Sequence, residues 1–375
     1  MDHAAFRSHF PVTKRWAFFD HAAVAPLPDV AVAALAEYGT MLAENGIAAI
    51  REQVARIAHV RSQSAKLINA PSTDDVFFVP NTTAGIVIVA EGFPWRSGDN
   101  VVLPAEEYPA NQYPWLNLAS RGVEVRRVAS HGNRVHIDDI RAAMDSRTRV
   151  LAISFVEFAS GFRNDLDSLG ELCREKDVFF FVDAIQGLGV FPLDVKKTPI
   201  DALAADSHKW LLGPEGAGIG YVRREWVERL HPIGVGAHSM VKPFSYSTIE
   251  FNPKPHAGRF EGGALNVGGI QAFGASLDLL LEAGIANVER RVLELTDYLC
   301  DVAPQAGLTV FSSREPQDKS GIVSLDKPGV PPEVLVKRCR EAGIIVNFRG
   351  GRLRVSPHAY NTLLELDRFL EVART

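Results

Sequence analysis

Phe179-Phe180-Phe181-Val182-Asp183-Ala184-Ile185-Gln186-Gly187 is the stretch whose reading decides the fold. Four apolar, strand-favouring residues, preceded by Val178, leave no polar alternation, so both faces of this strand must be covered by other chain. The run then ends on a carboxylate. A buried Asp is costly unless a cation or a donor meets it, so Asp183 is either capped and paired or kept for chemistry. Similar runs recur upstream at 75–79, 101–103, 123–125 and 150–155, and downstream at 202–205 and 218–222. Amphipathic stretches separate several of them. Ile137 to Met144 is one, and Leu166 to Cys173, with Leu166, Leu169 and Leu172 on one face, is another. Apolar strands alternating with amphipathic helices predict an α/β fold with a mostly parallel sheet between helices. Sites in such folds lie beyond the C-terminal ends of the strands.

The pattern changes after Trp226. Residues 231–266 carry His231-Pro232, Gly234, Gly236, Pro243, Pro253, Pro255 and Gly258, which predicts a long irregular crossing. Helical spacing follows over 268–281 and 287–302. The remainder predicts short strands at 308–310, 321–323, 344–346 and 353–355, with helices over 331–342 and 362–373, a smaller α+β domain. The 375 residues suit two domains, and 46% hydrophobic with 23% charged residues is an ordinary globular balance. A net charge of −5 argues against nucleic acid as a main partner. Cys173, Cys300 and Cys339 are far apart and odd in number, which excludes a disulfide framework and favours a reducing compartment. The first residues lack a signal peptide's basic and apolar regions, and no apolar run is long enough to cross a bilayer. A cytoplasmic enzyme with no membrane partner is the expectation. There is no P-loop, no Gly-x-Ser-x-Gly elbow, and no metal-ligand spacing among the eleven histidines, so no metal is expected.

Four features stand where a parallel sheet places its chemistry. Pro80-Asn81-Thr82-Thr83-Ala84-Gly85 opens an apolar helix after the Phe78-Val79 run, offering hydroxyls and free N–H groups to a phosphate or, equally, a plain N-cap. Asp183 is the second. The third is Asp206-Ser207-His208-Lys209-Trp210, where a lysine follows a strand in an aromatic setting, suited to losing its proton and forming a Schiff base. The fourth is Arg354 in Leu353-Arg354-Val355-Ser356, which suits bidentate capture of a carboxylate or a surface ion pair. Together they meet the needs of pyridoxal 5′-phosphate: a phosphate cradle, an anion for the pyridine nitrogen, a lysine and a carboxylate clamp.

On these residues the chain resembles the class V aminotransferases among the fold-type I pyridoxal-phosphate enzymes, a group with cysteine desulfurases and isopenicillin N epimerase-like proteins. The resemblance runs from Phe19-Asp20-His21-Ala22-Ala23 through Asn81-Thr82-Thr83, Glu107-Tyr108-Pro109, Ser160-Gly161, Asp183-Ala184-Ile185-Gln186 and His208-Lys209-Trp210. It ends with Arg259-Phe260-Glu261-Gly262-Gly263 and Arg354-Val355-Ser356-Pro357-His358. It implies a large domain over 16–255 with a mixed, mostly parallel seven-stranded sheet, and a small domain from 1–15 and 256–375. It implies that Lys209 holds the cofactor as an internal aldimine and shuttles a proton. Asp183 would keep the pyridine nitrogen protonated, Gln186 would bond the phenolic oxygen, and Tyr108 would stack on the ring. Thr82, Thr83 and His208 would hold the phosphate, with Asp206 nearby. Arg354 would bind the substrate carboxylate, and His21 would line the substrate pocket. A homodimer with interfacial sites is implied.

Departures from the family pattern shape the expected reaction. Desulfurases carry a nucleophilic Cys on the loop before the Arg-x-Ser strand, whereas Ile345 to Arg352 has none and Cys339 lies earlier. A classical desulfurase is therefore not expected. Ala264 stands where the family has a cross-dimer phosphate Thr, and Glu157 stands near where the family often has an amide that contacts the cofactor, a cofactor-binding position where a second anion is unfavourable unless it is protonated or turned to substrate. The expected activity is transamination of a small amino acid. A carbon–sulfur lyase or an amino-acid epimerase on the same scaffold is the alternative, and a non-catalytic cofactor-binding protein is a third reading. Side-chain specificity is expected to lie in loops such as 231–258.

Overall fold

The computed structural model describes residues 1–245 and 247–374; Tyr246, within the expected specificity loop, lies outside them. Seven strands form the central sheet, in the order Val76–Val79, Gly218–Val222, Ala202–Asp206, Phe179–Asp183, Thr148–Ser154, Asn100–Pro104, Glu124–Val128. Gly218–Val222 runs antiparallel to both neighbours, and the other pairings are parallel. This is the mixed, mostly parallel sheet expected. Phe179–Asp183 and Ala202–Asp206 are buried along their whole length, and Thr148–Ser154 everywhere except Arg149, as their lack of alternation requires.

The covering helices follow their apolar spacing. Leu166–Lys176 buries Leu166, Leu169, Leu172 and Cys173, is capped by Asp165 (Ser168 N–H to Oδ1, 3.1 Å), and stops at Asp177 in the left-handed region. Thr82–Gly92 is apolar all round because it is sandwiched. Its Gly85 lies so close to the sheet that a β-carbon would stand 2.3 Å from Ala204 Cβ.

Two long helices, Asp29–Asn45 and Ile50–Leu67, were not legible: the first is apolar on several sides and the second is largely polar, so neither shows a clean stripe. Both pack on Val267–Ala283, whose Ile270, Phe273, Leu277 and Leu280 enter the large core. The next helix, Ile285–Val302, places Val288 and Val292 in that core and Leu295 and Leu299 in the small one. Phe6 and Phe10 also pack in the large core. Packing thus changes over inside the 285–302 helix rather than at 255/256.

The small domain holds a four-stranded antiparallel sheet, Asn347–Arg349, Arg352–Val355, Val323–Asp326 and Thr309–Val310. The expected strand at 321–323 begins instead at Val323, in register with Val355. The run at 344–346 divides. Ile344–Ile345 pairs with Ala17–Phe18, and a further strand, Asn347–Arg349, turns back on Arg352–Val355. The two-residue loop Gly350-Gly351 has φ of +57° and +75°, a conformation that favours glycine at both positions. A bridge between Asp20 and Ser356 continues the Ala17–Phe18 pairing and carries the N-terminal segment across to the mouth of the large sheet. Among the described residues no single helix is long and apolar enough to cross a membrane.

Candidate active site

A cavity of about 320 Å³ opens at the C-terminal ends of the strands. Val76–Val79 delivers Asn81, Thr82 and Thr83 to it, Phe179–Asp183 delivers Asp183, and Ala202–Asp206 delivers Asp206, His208 and Lys209. Tyr108, Gln186 and Arg354 also line it. Nine of the residues expected from the sequence therefore meet in one place.

Each is held by an identifiable contact. Asn81 caps the Thr82–Gly92 helix through Oδ1 (Ala84 N–H, 2.8 Å), so neither threonine hydroxyl is needed as the cap. Thr82 Oγ1 accepts the Asp206 N–H at 3.0 Å. Asp183 is buried and accepts the Ile185 N–H at 3.1 Å. Burial raises its carboxyl to about 6, against the pull of that bond and of the Lys209 charge. Burial lowers the Lys209 ammonium to about 8, the Asp183 charge opposing it. Lys209 Nζ lies 5.5 Å from the centre of the Tyr108 ring, close enough for a cation–π contact. His208 Nδ1 is 2.8 Å from Asp206 Oδ2, an ion-pair distance without hydrogen-bond geometry.

Arg354 is buried, donates to Phe158 O at 3.1 Å and stands 3.2 Å from Asp20 Oδ1. Asp20 was not singled out from the sequence. Only the bridge from a segment more than three hundred residues away places it there.

Two expectations are corrected. His21 does not line the cavity: it is fully buried, with Nδ1 2.9 Å from Ser356 O and Nε2 2.8 Å from the Tyr360 hydroxyl, so it ties the N-terminal segment to the small domain. Glu157 does not face the cavity either. Its Oε1 accepts from Asn164 Nδ2 at 2.9 Å and it lines a neighbouring one. Gln186 lines the cavity as expected: Oε1 accepts from Trp210 Nε1 at 2.8 Å, and Nε2 donates one of its two hydrogens to Ala22 O at 3.0 Å, which leaves the other for a ligand. Ala264 is exposed and stands away from the cavity.

Two contributors were missed. Arg349 lines the cavity from the Gly350-Gly351 hairpin. Glycine pairs between apolar positions signal such a turn, and Phe348-Arg349-Gly350-Gly351-Arg352-Leu353 carries that signal. Glu107 is buried and accepts from both the N–H and the hydroxyl of Ser154, the residue in register with Asp183 on the next strand. Burial, then the charge of Glu157, pushes its carboxyl well above the usual range.

The sequence model of the class-V aminotransferases matches residues 17–369. This chain belongs to the class-V aminotransferase family. Its cofactor is pyridoxal 5′-phosphate, and the cavity's buried lysine, facing carboxylate and hydroxyl-bearing helix start fit that group. Among similar proteins, a probable cysteine desulfurase of Methanothermobacter thermautotrophicus is 30% identical over 96% of this chain and 94% of its own length. A cysteine desulfurase of Escherichia coli has a crystal structure that superposes with a TM-score of 0.88 at 25% identity, over 99% of this chain and 97% of that one. The structure of a cystine C–S lyase bound to cysteine persulfide superposes with a TM-score of 0.91 at 23% identity, over 97% of this chain and 99% of that one, and shares the fold.

Proposed function

We propose that this class-V aminotransferase family member cleaves the Cβ–S bond of a sulfur-bearing α-amino acid by direct elimination. Bound pyridoxal phosphate supplies an electron sink for the pair left at Cα. Lys209 holds the cofactor, and its Nζ, whose ammonium burial lowers to about 8, carries the Cα proton. Asp183 would serve as the anionic partner of the pyridine nitrogen. Thr82, Thr83 and the N–H groups of the helix start receive the phosphate, with His208 beside them. Tyr108 would cover the ring, and Arg354 would bind the substrate carboxylate. The sulfur leaves with the bonding pair and gains a proton, and the resulting enamine hydrolyses to a keto acid and ammonia.

One observation carries the choice of reaction. No cysteine among the described residues lines the cavity: Cys173 lies in the large core, Cys339 in the small core, and Cys300 packs against the latter. Relatives named cysteine desulfurases support carbon–sulfur chemistry, while the missing thiol favours release of sulfur on its own substituent rather than on the enzyme. A homodimer belongs to the same proposal. Val32, Leu42, Ile47, Ile50 and Val54 leave an exposed apolar face along the two N-terminal helices, which a second copy would cover.

The test supplies holoenzyme with cysteine and S-substituted cysteines and follows keto acid, ammonia and cofactor absorbance. Equal keto acid and ammonia is the expected result. Keto acid with accumulating pyridoxamine phosphate and no ammonia would replace elimination by transamination, and sulfur retained on a cysteine would restore the desulfurase route. Lys209→Ala is expected to lose about 10²–10⁴-fold in rate or more. Turnover unaffected by that change would sink the enzymatic assignment of Lys209.

A further inference from the structure

Beside the active-site cavity lies a second one of about 190 Å³, lined by Glu157, Ala159, Ser160, Phe311, Arg349 and Arg352 among others. The two share a wall. Arg349 lines both, and in the segment 157–159 Phe158 faces the first cavity while Glu157 and Ala159 face the second. The volume is small for a whole ligand and suits a group of a few atoms.

The groups around it are not satisfied by one another. Glu157 is buried, and its Oε2 has no hydrogen-bond partner. Its backbone is pinned by Phe162 O and Gly161 N–H, at 2.8 and 2.9 Å, so the carboxyl cannot easily swing to find one. Arg349 donates to Asn347 Oδ1 at 3.1 Å and Phe348 O at 2.7 Å, and meets no carboxylate within 4 Å among the described residues. Arg352 lies over the Phe311 ring at 3.4 Å and donates to Gly350 O at 3.3 Å, again without a carboxylate partner. Glu106 also lines this cavity, but it is exposed and its Oε2 accepts from Ser130 N–H at 3.1 Å. Two guanidinium groups with no carboxylate within 4 Å among the described residues, and a buried carboxyl with one oxygen unpartnered, border one space.

We propose that this second cavity is a distal subsite of the active site, and that it receives a carboxylate at the far end of the substrate's side chain. The two arginines supply charge and fork geometry. Burial raises the Glu157 carboxyl to about 8, so at neutral pH it carries a proton to donate to an oxygen of that group. The substrate is then an S-substituted cysteine whose substituent ends in an acid. The subsite rests on the reading that the enzyme binds an α-amino acid, but not on which bond breaks.

The experiment is a binding measurement, so it does not depend on turnover. Holoenzyme is titrated by cofactor absorbance with S-carboxymethyl- and S-(2-carboxyethyl)-L-cysteine and with the neutral amide of each. At least one acid is expected to bind about 10- to 100-fold tighter than its amide. Arg352→Gln is expected to abolish that preference while retaining the cofactor absorbance. Ala159→Leu, which fills the cavity without altering charge, is expected to abolish it too and serves if the arginine variant does not fold. Equal affinities for acids and amides in the wild type, or a preference that survives both variants, would overturn the subsite. Tight binding of an acid without cleavage would instead overturn only the elimination reading.

Discussion

Arg354 Nη2 stands 3.2 Å from Asp20 Oδ1, so the guanidinium proposed to receive a substrate carboxylate already holds an anion from the other end of the chain. Asp20 is steadied in turn by Asn347 Nδ2 at 3.0 Å. The substrate must therefore compete with, or share, an existing ion pair. Asp20→Asn keeps the shape and removes the charge. It is expected to lower KM for an amino-acid substrate, because Arg354 is freed, and to lower stability by about 1–3 kcal/mol, because a buried cation loses its partner. Steady-state kinetics and denaturant unfolding check the two effects. A raised KM would mean that Asp20 aims Arg354 rather than competes for it.

Asp183 and Lys209 are tuned in opposite senses, and cofactor-free protein should reveal both. The Asp183 carboxyl titrates near 6 when folded against 3.8 otherwise. Between those values the native group holds a proton that the unfolded one has lost, so stability falls as pH rises through the window. Lys209 titrates near 8 against 10.5, so the native amine loses its proton first and stability rises between those values. Asp183→Asn removes the first effect. The variant should match the wild type near pH 4 and exceed it by up to about 3 kcal/mol above pH 6, while losing activity with the cofactor bound. Urea unfolding of both proteins across pH 4–7 measures the difference, and parallel stability curves would contradict the assignment.

Asp183 and Lys209 were legible in the sequence because each follows an apolar strand too regular to misread, and strand ends are where a parallel sheet presents side chains. Thr82 and Thr83 were legible for the same reason. The partners that complete the site were not. Asp20 reaches Arg354 only through the pairing of Ala17–Phe18 with Ile344–Ile345, which two-residue strands cannot announce. Glu157 and His21 misled because local sequence gives their neighbourhood but not their direction; each turns away from the cavity into a separate network. The two long N-terminal helices were hidden because the first is apolar on several sides and the second is largely polar, so neither shows a clean stripe.

His21 provides a direct test of that correction. Its ring is fully buried, burial and then the nearby His358 hold it well below its ordinary value, and it joins Ser356 O to the Tyr360 hydroxyl. His21→Ala should open a cavity and strand the Tyr360 hydroxyl, while Ser356 O keeps the backbone N–H of residue 21, a loss of about 2–4 kcal/mol. KM for the substrate should not move, since the ring does not face the cavity. A raised KM with unchanged stability would return His21 to the substrate pocket.

Gly85 sets how closely the phosphate-facing helix approaches the sheet. A β-carbon there would lie 2.3 Å from Ala204 Cβ and 3.7 Å from Ala204 Cα, and Ala204 sits on the strand that leads to Asp206 and Lys209. Gly85→Ala must push the helix outward, which overpacking puts at about 1–3 kcal/mol. The same shift withdraws Thr82 and Thr83 from the cavity, so cofactor affinity should fall about tenfold for each 1.4 kcal/mol carried to the site. Ala204→Gly removes the atom that the new methyl meets. The double variant should therefore recover cofactor affinity that neither the Gly85→Ala clash nor simple additivity allows, with a coupling readable from the four-protein cycle. Equilibrium cofactor titration of the wild type, both single variants and the double variant measures it. Additive losses would show that the approach of helix to strand does not govern the phosphate cradle.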